Sequence, residues 1–322
     1  MIKSAHFQLT VRCNLNCSFC GQSRGMAGAA ADEITPEEWL KYAKELREIN
    51  SSDNSVPAIT LWGGEPMLYE DFSPLARELF SCGHKLDIVT NATQLEKNAD
   101  TLNECFEHIF VSLDGMKDQH DAIRGNGVFD KVKENLQLIQ NRRGKLIFLC
   151  TISDTNVDNA SELPFQMAEL GADAVVLQQL MYLNEDEIAK YRKYSIEHFN
   201  CDYPELAGWK RKNDSSYREK LNITARKIKE YNYPIPVTFT PHAYWFQPDA
   251  QHCTCQEKRI HIRHDGNVGF CTDYFGFSAG NTKVSSLKDI LSSPLAQLFH
   301  QAVSENKLPI CDHCPWRLQE MK

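Results

Sequence analysis

The chain has no apolar run near the ~20 residues that a membrane-spanning helix needs. Its N-terminus lacks the apolar segment of a secretory signal peptide. Basic residues are not in excess: 35 Lys and Arg against 43 Asp and Glu give a net charge of −8. There is therefore no bulk positive field to recruit nucleic acid or an anionic membrane. These absences predict a cytoplasmic protein with neither nucleic-acid nor membrane partners. Cysteine, by contrast, is abundant. Twelve in 322 residues is high for a compartment in which disulfides are disfavoured, and clustered cysteines there argue for metal or cluster ligation. Cys13, Cys17 and Cys20 lie at the front, and Cys253, Cys255, Cys271, Cys311 and Cys314 at the back. Cys82, Cys105, Cys150 and Cys201 are scattered.

The front cysteines form Cys13-Asn-Leu-Asn-Cys17-Ser-Phe-Cys20, directly after the apolar run that starts at Phe7. Three thiolates on a short loop can hold three corners of a cubane iron–sulfur cluster and leave the fourth iron open for chemistry. A zinc loop is the plainer alternative. C-x3-C-x2-C after a first strand resembles the cluster loop of the radical S-adenosylmethionine (SAM) enzymes, in which Phe19 would be the usual aromatic. The resemblance implies a [4Fe-4S] cluster whose open iron is filled by the amino and carboxylate groups of SAM. It also implies an external one-electron donor of the flavodoxin or ferredoxin type.

Short apolar runs at residues 59–62, 86–89, 109–113, 146–149 and 174–177 alternate with helical stretches. One helical face carries Trp39, Tyr42, Ala43 and Leu46; another carries Phe129, Val132, Leu136 and Ile139. Runs without polar alternation suit parallel strands buried on both faces. Six strand–helix units predict an α/β fold, a partial (β/α)6 TIM-like barrel over residues 1–182. Function in such sheets gathers at the C-terminal strand ends.

Several segments fall at those ends. Trp62-Gly63-Gly64-Glu65-Pro66-Met67 follows the second strand, and its glycines let backbone approach a ligand closely. It resembles the Gly-Gly-Glu-Pro motif that holds the methionine ammonium in radical SAM enzymes. Thr90-Asn91-Ala92 ends the third strand, where relatives carry Thr-Asn-Gly. Ser112-Leu-Asp114-Gly115 and His120-Asp-x-x-Arg124 follow the fourth and resemble a segment of the family members that carry a C-terminal cluster domain. Arg124 offers a planar fork to the SAM carboxylate, or pairs with Asp121 or Asp130. Ser112 or Asp114 would contact the sugar or carboxylate. By analogy alone, Val175, Val176, Leu177 and Gln178 flank adenine.

Residues 183–250 read as a bridging helical region over the barrel mouth, with two charged helices, Cys201, and a strand-like piece at 236–240. In residues 251–322, Asp265-Gly266 between alternating runs predicts a hairpin that brings Cys253 or Cys255 near Cys271. Cys311-Asp-His-Cys314 is a C-x2-C loop suited to zinc or iron–sulfur. The stretch resembles the small α+β cluster domain called SPASM, or its shortened form called twitch, but the chain ends soon after Cys314. One auxiliary [4Fe-4S] cluster is expected, held by Cys253, Cys271, Cys311 and Cys314. Cys253 is preferred to Cys255 because relatives show the same step to the hairpin cysteine.

The function predicted is reductive SAM cleavage to a 5′-deoxyadenosyl radical, which takes a hydrogen atom from substrate. The expected outcome is oxidation or epimerisation of a small polar metabolite (sugar or cyclitol) or a peptide residue. Cys150 or Cys201 would be the hydrogen-atom donor of an epimerase. A ribosomal-peptide crosslinking maturase is the alternative, set back by a sheet that begins within ten residues and leaves no N-terminal leader-binding domain. A non-catalytic iron–sulfur or zinc electron carrier is the alternative of another class.

Overall fold

The computed structural model describes residues 2–22, 33–53, 55–180, 183–210, 215–239, 253, 259–274, 276–314 and 320–321. Its strands are β1 (Ser4–Thr10), β2 (Ala58–Gly63), β3 (Leu86–Thr90), β4 (Phe106–Ser112), β5 (Lys145–Ile152), β6 (Ala174–Gln179), β7 (Val237–Phe239), β8 (Arg259–Ile262), β9 (Asn267–Gly269), β10 (Gly280–Asn281) and β11 (Glu320–Met321). They form one sheet in the order β10-β9-β8-β1-β2-β3-β4-β5-β6-β7-β11. From β8 through β7 every neighbouring pair is parallel. The sheet keeps two ends, so it is an open barrel and not a closed one.

The outer face packs on helices. The helix Pro36–Ile49 starts at a capping box, in which Thr35 and Glu38 each accept from the other's backbone N–H. It buries Trp39, Tyr42, Ala43 and Leu46, as its period predicts. Phe7 of β1 stacks on Trp39 with ring centroids 4.6 Å apart. Alternate residues turn the other way and line the lumen. Among the described residues, no helix is long and apolar enough to cross a membrane.

Two strands extend the predicted six. The strand-like piece at 236–240 is β7 and joins β6 in parallel, so the end of the bridging region belongs to the barrel. The hairpin forms as predicted: β8 and β9 are antiparallel around Gly266, whose φ of +88° suits glycine. Yet β8 also pairs in parallel with β1, Ser4 opposite Arg259 and Phe7 opposite Ile262. The C-terminal region is thus sewn into the barrel sheet. Helices Glu185–Phe199 and Pro294–Ser304 close over the hairpin. Tyr191 stacks on Tyr274 with ring centroids 4.2 Å apart, and Phe277 packs tilted against Phe299 at 4.4 Å.

Candidate active site

The front cysteines sit on the loop that leaves β1. Two contacts from the end of β2 hold that loop: Gly64 N–H donates to Thr10 O at 2.9 Å and Glu65 N–H to Arg12 O at 2.8 Å. A Cβ on Gly63 would lie 2.3 Å from Thr10 O, and one on Gly64 2.2 Å from Arg12 O. The two glycines therefore permit the approach of the cysteine loop itself. Asn14 Nδ2 donates to Thr93 Oγ1 at 2.8 Å, and Ser18 N–H to Ile123 O at 2.9 Å. The sulfurs have their own donors. Leu15 N–H lies 3.5 Å and Asn91 Nδ2 3.9 Å from Cys13 Sγ, and Arg124 Nη1 lies 3.8 Å from Cys17 Sγ. Burial pushes the Cys17 thiol up to about 11, with Arg124 pulling against it, and raises Cys13 as well. These groups stay protonated until a metal displaces the proton.

Among the described residues, no three His, Cys, Asp or Glu side chains converge as a single metal ion requires. Three thiols spread along one loop, with donors at the sulfurs of Cys13 and Cys17, fit a cluster, whose ligands attach to different irons.

Glu65 lies beneath this loop and is fully buried. Its Oε1 accepts from Thr90 Oγ1 at 2.8 Å and Met67 N–H at 3.3 Å, and its Oε2 from Asn91 N–H at 2.8 Å. Burial lifts its carboxyl to about 7, while these donors hold it back. The carboxylate caps the short turn Pro66–Leu68, opened by the buried Pro66. Gly63 O accepts from Gln22 Nε2 at 3.3 Å. At Ala92 φ is +59°. That left-handed residue is held by its N–H to Thr90 Oγ1 at 2.9 Å and by Asn135 Nδ2 to its carbonyl at 2.8 Å.

Arg124 pairs with neither surface carboxylate. Asp121 instead accepts from the N–H groups of Gly127 and Phe129, and Asp130 pairs with Lys117. Arg124 Nε donates to Asp114 Oδ2 at 2.6 Å, with the two side chains 10% and 0% exposed. Asp114 Oδ1 also takes Thr151 N–H at 2.8 Å, and its carbonyl takes Asn156 Nδ2 at 2.6 Å. Ser112, two residues beyond Phe110 on β4, shares the lumen face by strand alternation.

A cavity of about 600 Å³ opens beneath the loop. Its lining includes Cys20, Gly21 and Gln22 of the front loop, Trp62, Asp87, Phe110, Leu149, Val176, Gln178 and Trp209, and also Thr272 and Asp273, just after Cys271. Three expectations change here. Leu177 is fully buried on the outer face, and it is Val176 and Gln178 that face the cavity. Cys150 likewise points into the core, accepting from Asn156 Nδ2 at 3.7 Å, because its neighbour Leu149 takes the lumen side. Cys201 lies outside the lining too, its thiol donating to Gly276 O at 2.6 Å. One residue with no signal in the sequence appears: Asp87, whose Oδ1 lies 2.8 Å from His108 Nδ1. Burial raises its carboxyl above the usual range, against the pull of His108.

At the back, Cys271 is half-buried at the end of the hairpin. Burial drives its thiol well up, as do Asp273 and the nearby Cys314 and Cys311, against one N–H from Asp273. The three thiols thus share one electrostatic neighbourhood. Cys253 is half-buried against the core, and Cys255 falls outside the described residues. A smaller cavity, of about 20 Å³, is lined by Trp62 and Cys271 among others, and Trp62 and Thr272 line both cavities.

Residues 7–162 match the radical SAM superfamily, and residues 253–315 match SPASM, an iron–sulfur cluster-binding domain. The chain belongs to the radical SAM superfamily, and its C-terminal part is a SPASM domain. SAM, a [4Fe-4S] cluster and auxiliary iron–sulfur ligation come with that assignment. Among curated relatives, the sporulation killing factor maturation protein SkfB of Bacillus subtilis is 30% identical over 52% of this chain and 40% of its own. Pre-heme d1 synthase of Dinoroseobacter shibae is 31% identical over 55% and 43%. The antilisterial bacteriocin subtilosin biosynthesis protein AlbA of B. subtilis is 24% identical over 97% of this chain and 65% of its own. The chain thus spans between two fifths and two thirds of these relatives' lengths. Among solved structures, SAM-bound SuiB of Streptococcus suis shares the fold, with a TM-score of 0.69 at 16% identity over 97% of this chain and 72% of that one. SuiB has also been solved bound to its precursor peptide SuiA.

Proposed function

We propose that this radical SAM enzyme oxidises a peptide, as a maturase that forms a crosslink or a related dehydrogenated bond. The observation that carries the reading is the cavity, whose lining includes both Cys20 of the front loop and Thr272 and Asp273, just after Cys271. A substrate seated there lies between the site of hydrogen-atom abstraction and a site that takes up an electron. The peptide class rests on the named roles of SkfB and AlbA and on the precursor peptide of SuiB. Cys150 and Cys201, the two thiols that an epimerase reading would use, are not in the cavity lining. This shifts the balance from epimerisation towards oxidation.

Bound SAM supplies, on reduction, the radical that abstracts hydrogen. Cys13, Cys17 and Cys20 hold the cluster. Gly63 and Gly64 bring backbone carbonyls to the amino end of SAM, and Glu65, Pro66, Thr90 and Asn91 make that turn rigid. Ser112 faces the ribose. Cys253, Cys271, Cys311 and Cys314 hold the auxiliary cluster, and a flavodoxin- or ferredoxin-type protein supplies the first electron. Once hydrogen has left, the substrate must also lose a proton, and Asp87 is the carboxylate on the cavity wall with an imidazole behind it.

The test is anaerobic incubation of reconstituted protein with SAM, dithionite and a short peptide encoded beside its gene. A peptide lighter by two hydrogen atoms, formed together with 5′-deoxyadenosine, is expected. If 5′-deoxyadenosine forms while the peptide stays intact and a sugar alcohol is oxidised instead, the small-metabolite reading replaces this one.

A further inference from the structure

The family resemblance assigns the Arg124 guanidinium to the carboxylate of SAM, yet in the structure other neighbours already claim it. Nε is fixed on Asp114 Oδ2 at 2.6 Å, Nη1 reaches Cys17 Sγ at 3.8 Å, and the group sits 5.9 Å from the Phe19 ring centroid. Asp114 cannot follow a moving arginine, because its other oxygen and its carbonyl are tied to Thr151 and Asn156. We propose that Arg124, anchored by Asp114, is a positioning residue for Cys17 and raises the reduction potential of the cluster that the front loop holds.

The physical reason is differential charge. One-electron reduction adds a negative charge to a thiolate-ligated cluster, and a cation within hydrogen-bond reach of a ligand sulfur favours the reduced form. Hydrogen bonds to the sulfurs and local net charge are among the levers that set such potentials. The guanidinium is nine-tenths buried, so water screens it little. Asp114 cancels part of the charge but meets Nε, while Nη1 meets the sulfur. The donors at Cys13 are a backbone N–H and an amide, both neutral. Cys17 therefore has a cationic donor where Cys13 has neutral ones.

The inference rests on the family's cluster at the front loop and on no choice of substrate. It is tested by redox titration of the reconstituted full chain, followed by electron paramagnetic resonance. The front cluster is identified as the signal that changes when SAM is added. Arg124→Met is expected to cut the equilibrium constant for one-electron reduction about tenfold, a shift of ~59 mV to more negative potential. Arg124→Lys, which keeps the charge and loses the fork, is expected to fall between that variant and the wild type. SAM binding is measured in parallel. A wild-type potential with weakened SAM binding would overturn the inference and return Arg124 to the SAM carboxylate. If Arg124→Met takes up too little iron to titrate, Arg124→Gln, which removes the charge and keeps N–H donors, decides: an unchanged potential there overturns the proposal. A wild-type protein with no SAM-responsive signal would instead remove the family reading itself.

Discussion

The front cysteines occupy one loop, whose neighbours from β2, β3 and the helix Lys117–Arg124 reach it through short hydrogen bonds. The back cysteines come from a hairpin and from a loop some forty residues further on, and an aromatic layer packs around them. The charges differ as well. Cys17 faces a guanidinium, whereas Cys271 faces the carboxylate of Asp273. A cation beside one set of thiols and an anion beside the other push electron affinity in opposite directions. In the function proposed, the front site is the one that takes the first electron. The back site is held in place by packing and by the sheet.

The strongest way to break this contrast is to remove one ligand from each side. Cys17→Ala is expected to abolish 5′-deoxyadenosine formation from SAM, while Cys311→Ala keeps that reaction and loses only the auxiliary iron. Iron counts and nucleoside yield read the two outcomes. If Cys311→Ala also stops SAM cleavage, the two sites are not separable.

Next in size is the backbone support of the front loop. In Gly64→Ala the new Cβ would overlap Arg12 O, a backbone atom that cannot swing away. The front loop should lose its iron while the back site keeps its own, as read by iron content and by the SAM-responsive signal. Full front-loop loading would show that the loop tolerates the displacement.

A smaller effect is expected from pH. The Glu65 carboxyl is raised from 4.5 to about 7 in the fold. It therefore binds its proton more tightly folded than unfolded, and its contribution to stability declines as pH rises from 4.5 to about 7. The full decline amounts to about 3 kcal/mol, at 1.36 kcal/mol per unit. Burial lowers His6 from 6.5 to about 3, so this histidine works in the other direction, adding stability as pH climbs to 6.5. The difference between wild type and Glu65→Gln isolates the carboxyl. In urea unfolding of metal-free protein, the wild type should lose stability relative to the variant between about pH 5 and about pH 7.5. A constant difference would place the Glu65 midpoint back in the ordinary range.

The smallest effect concerns Ala92. A non-glycine residue in the left-handed region costs roughly 1 kcal/mol, part of which glycine returns through its freer unfolded chain. Ala92→Gly should therefore stabilise the protein by about 0.5 kcal/mol in urea unfolding, with iron content unchanged. A destabilised variant would mean that the buried methyl group contributes more by packing than the φ angle costs.

What the sequence revealed and what it hid follow from distance along the chain. The cysteine spacing, Trp62 to Met67 and the Ser112 to Arg124 stretch are local patterns, and the helix face of Trp39 and Leu46 is a period. Strand phase is different. An unbroken apolar run such as Leu146 to Cys150 does not say which side faces the lumen, so Cys150 and Leu177 were expected on the wrong face. The Asp87–His108 pair depends on the register between β3 and β4, which no local pattern encodes. β7 and β8 are too short to show a period, and their place beside β6 and β1 is set only when the sheet assembles.

That placement of β8 has a cost for anyone wishing to cut the protein into modules. Shortening the chain ahead of Arg259 would strip β1 of its outer neighbour and bare a row of backbone N–H and C=O groups that invites foreign strands. During synthesis, too, β1 meets β2 early, but its other edge stays open until Arg259 to Ile262 have left the ribosome. Completion of the sheet is thus a late, long-range event.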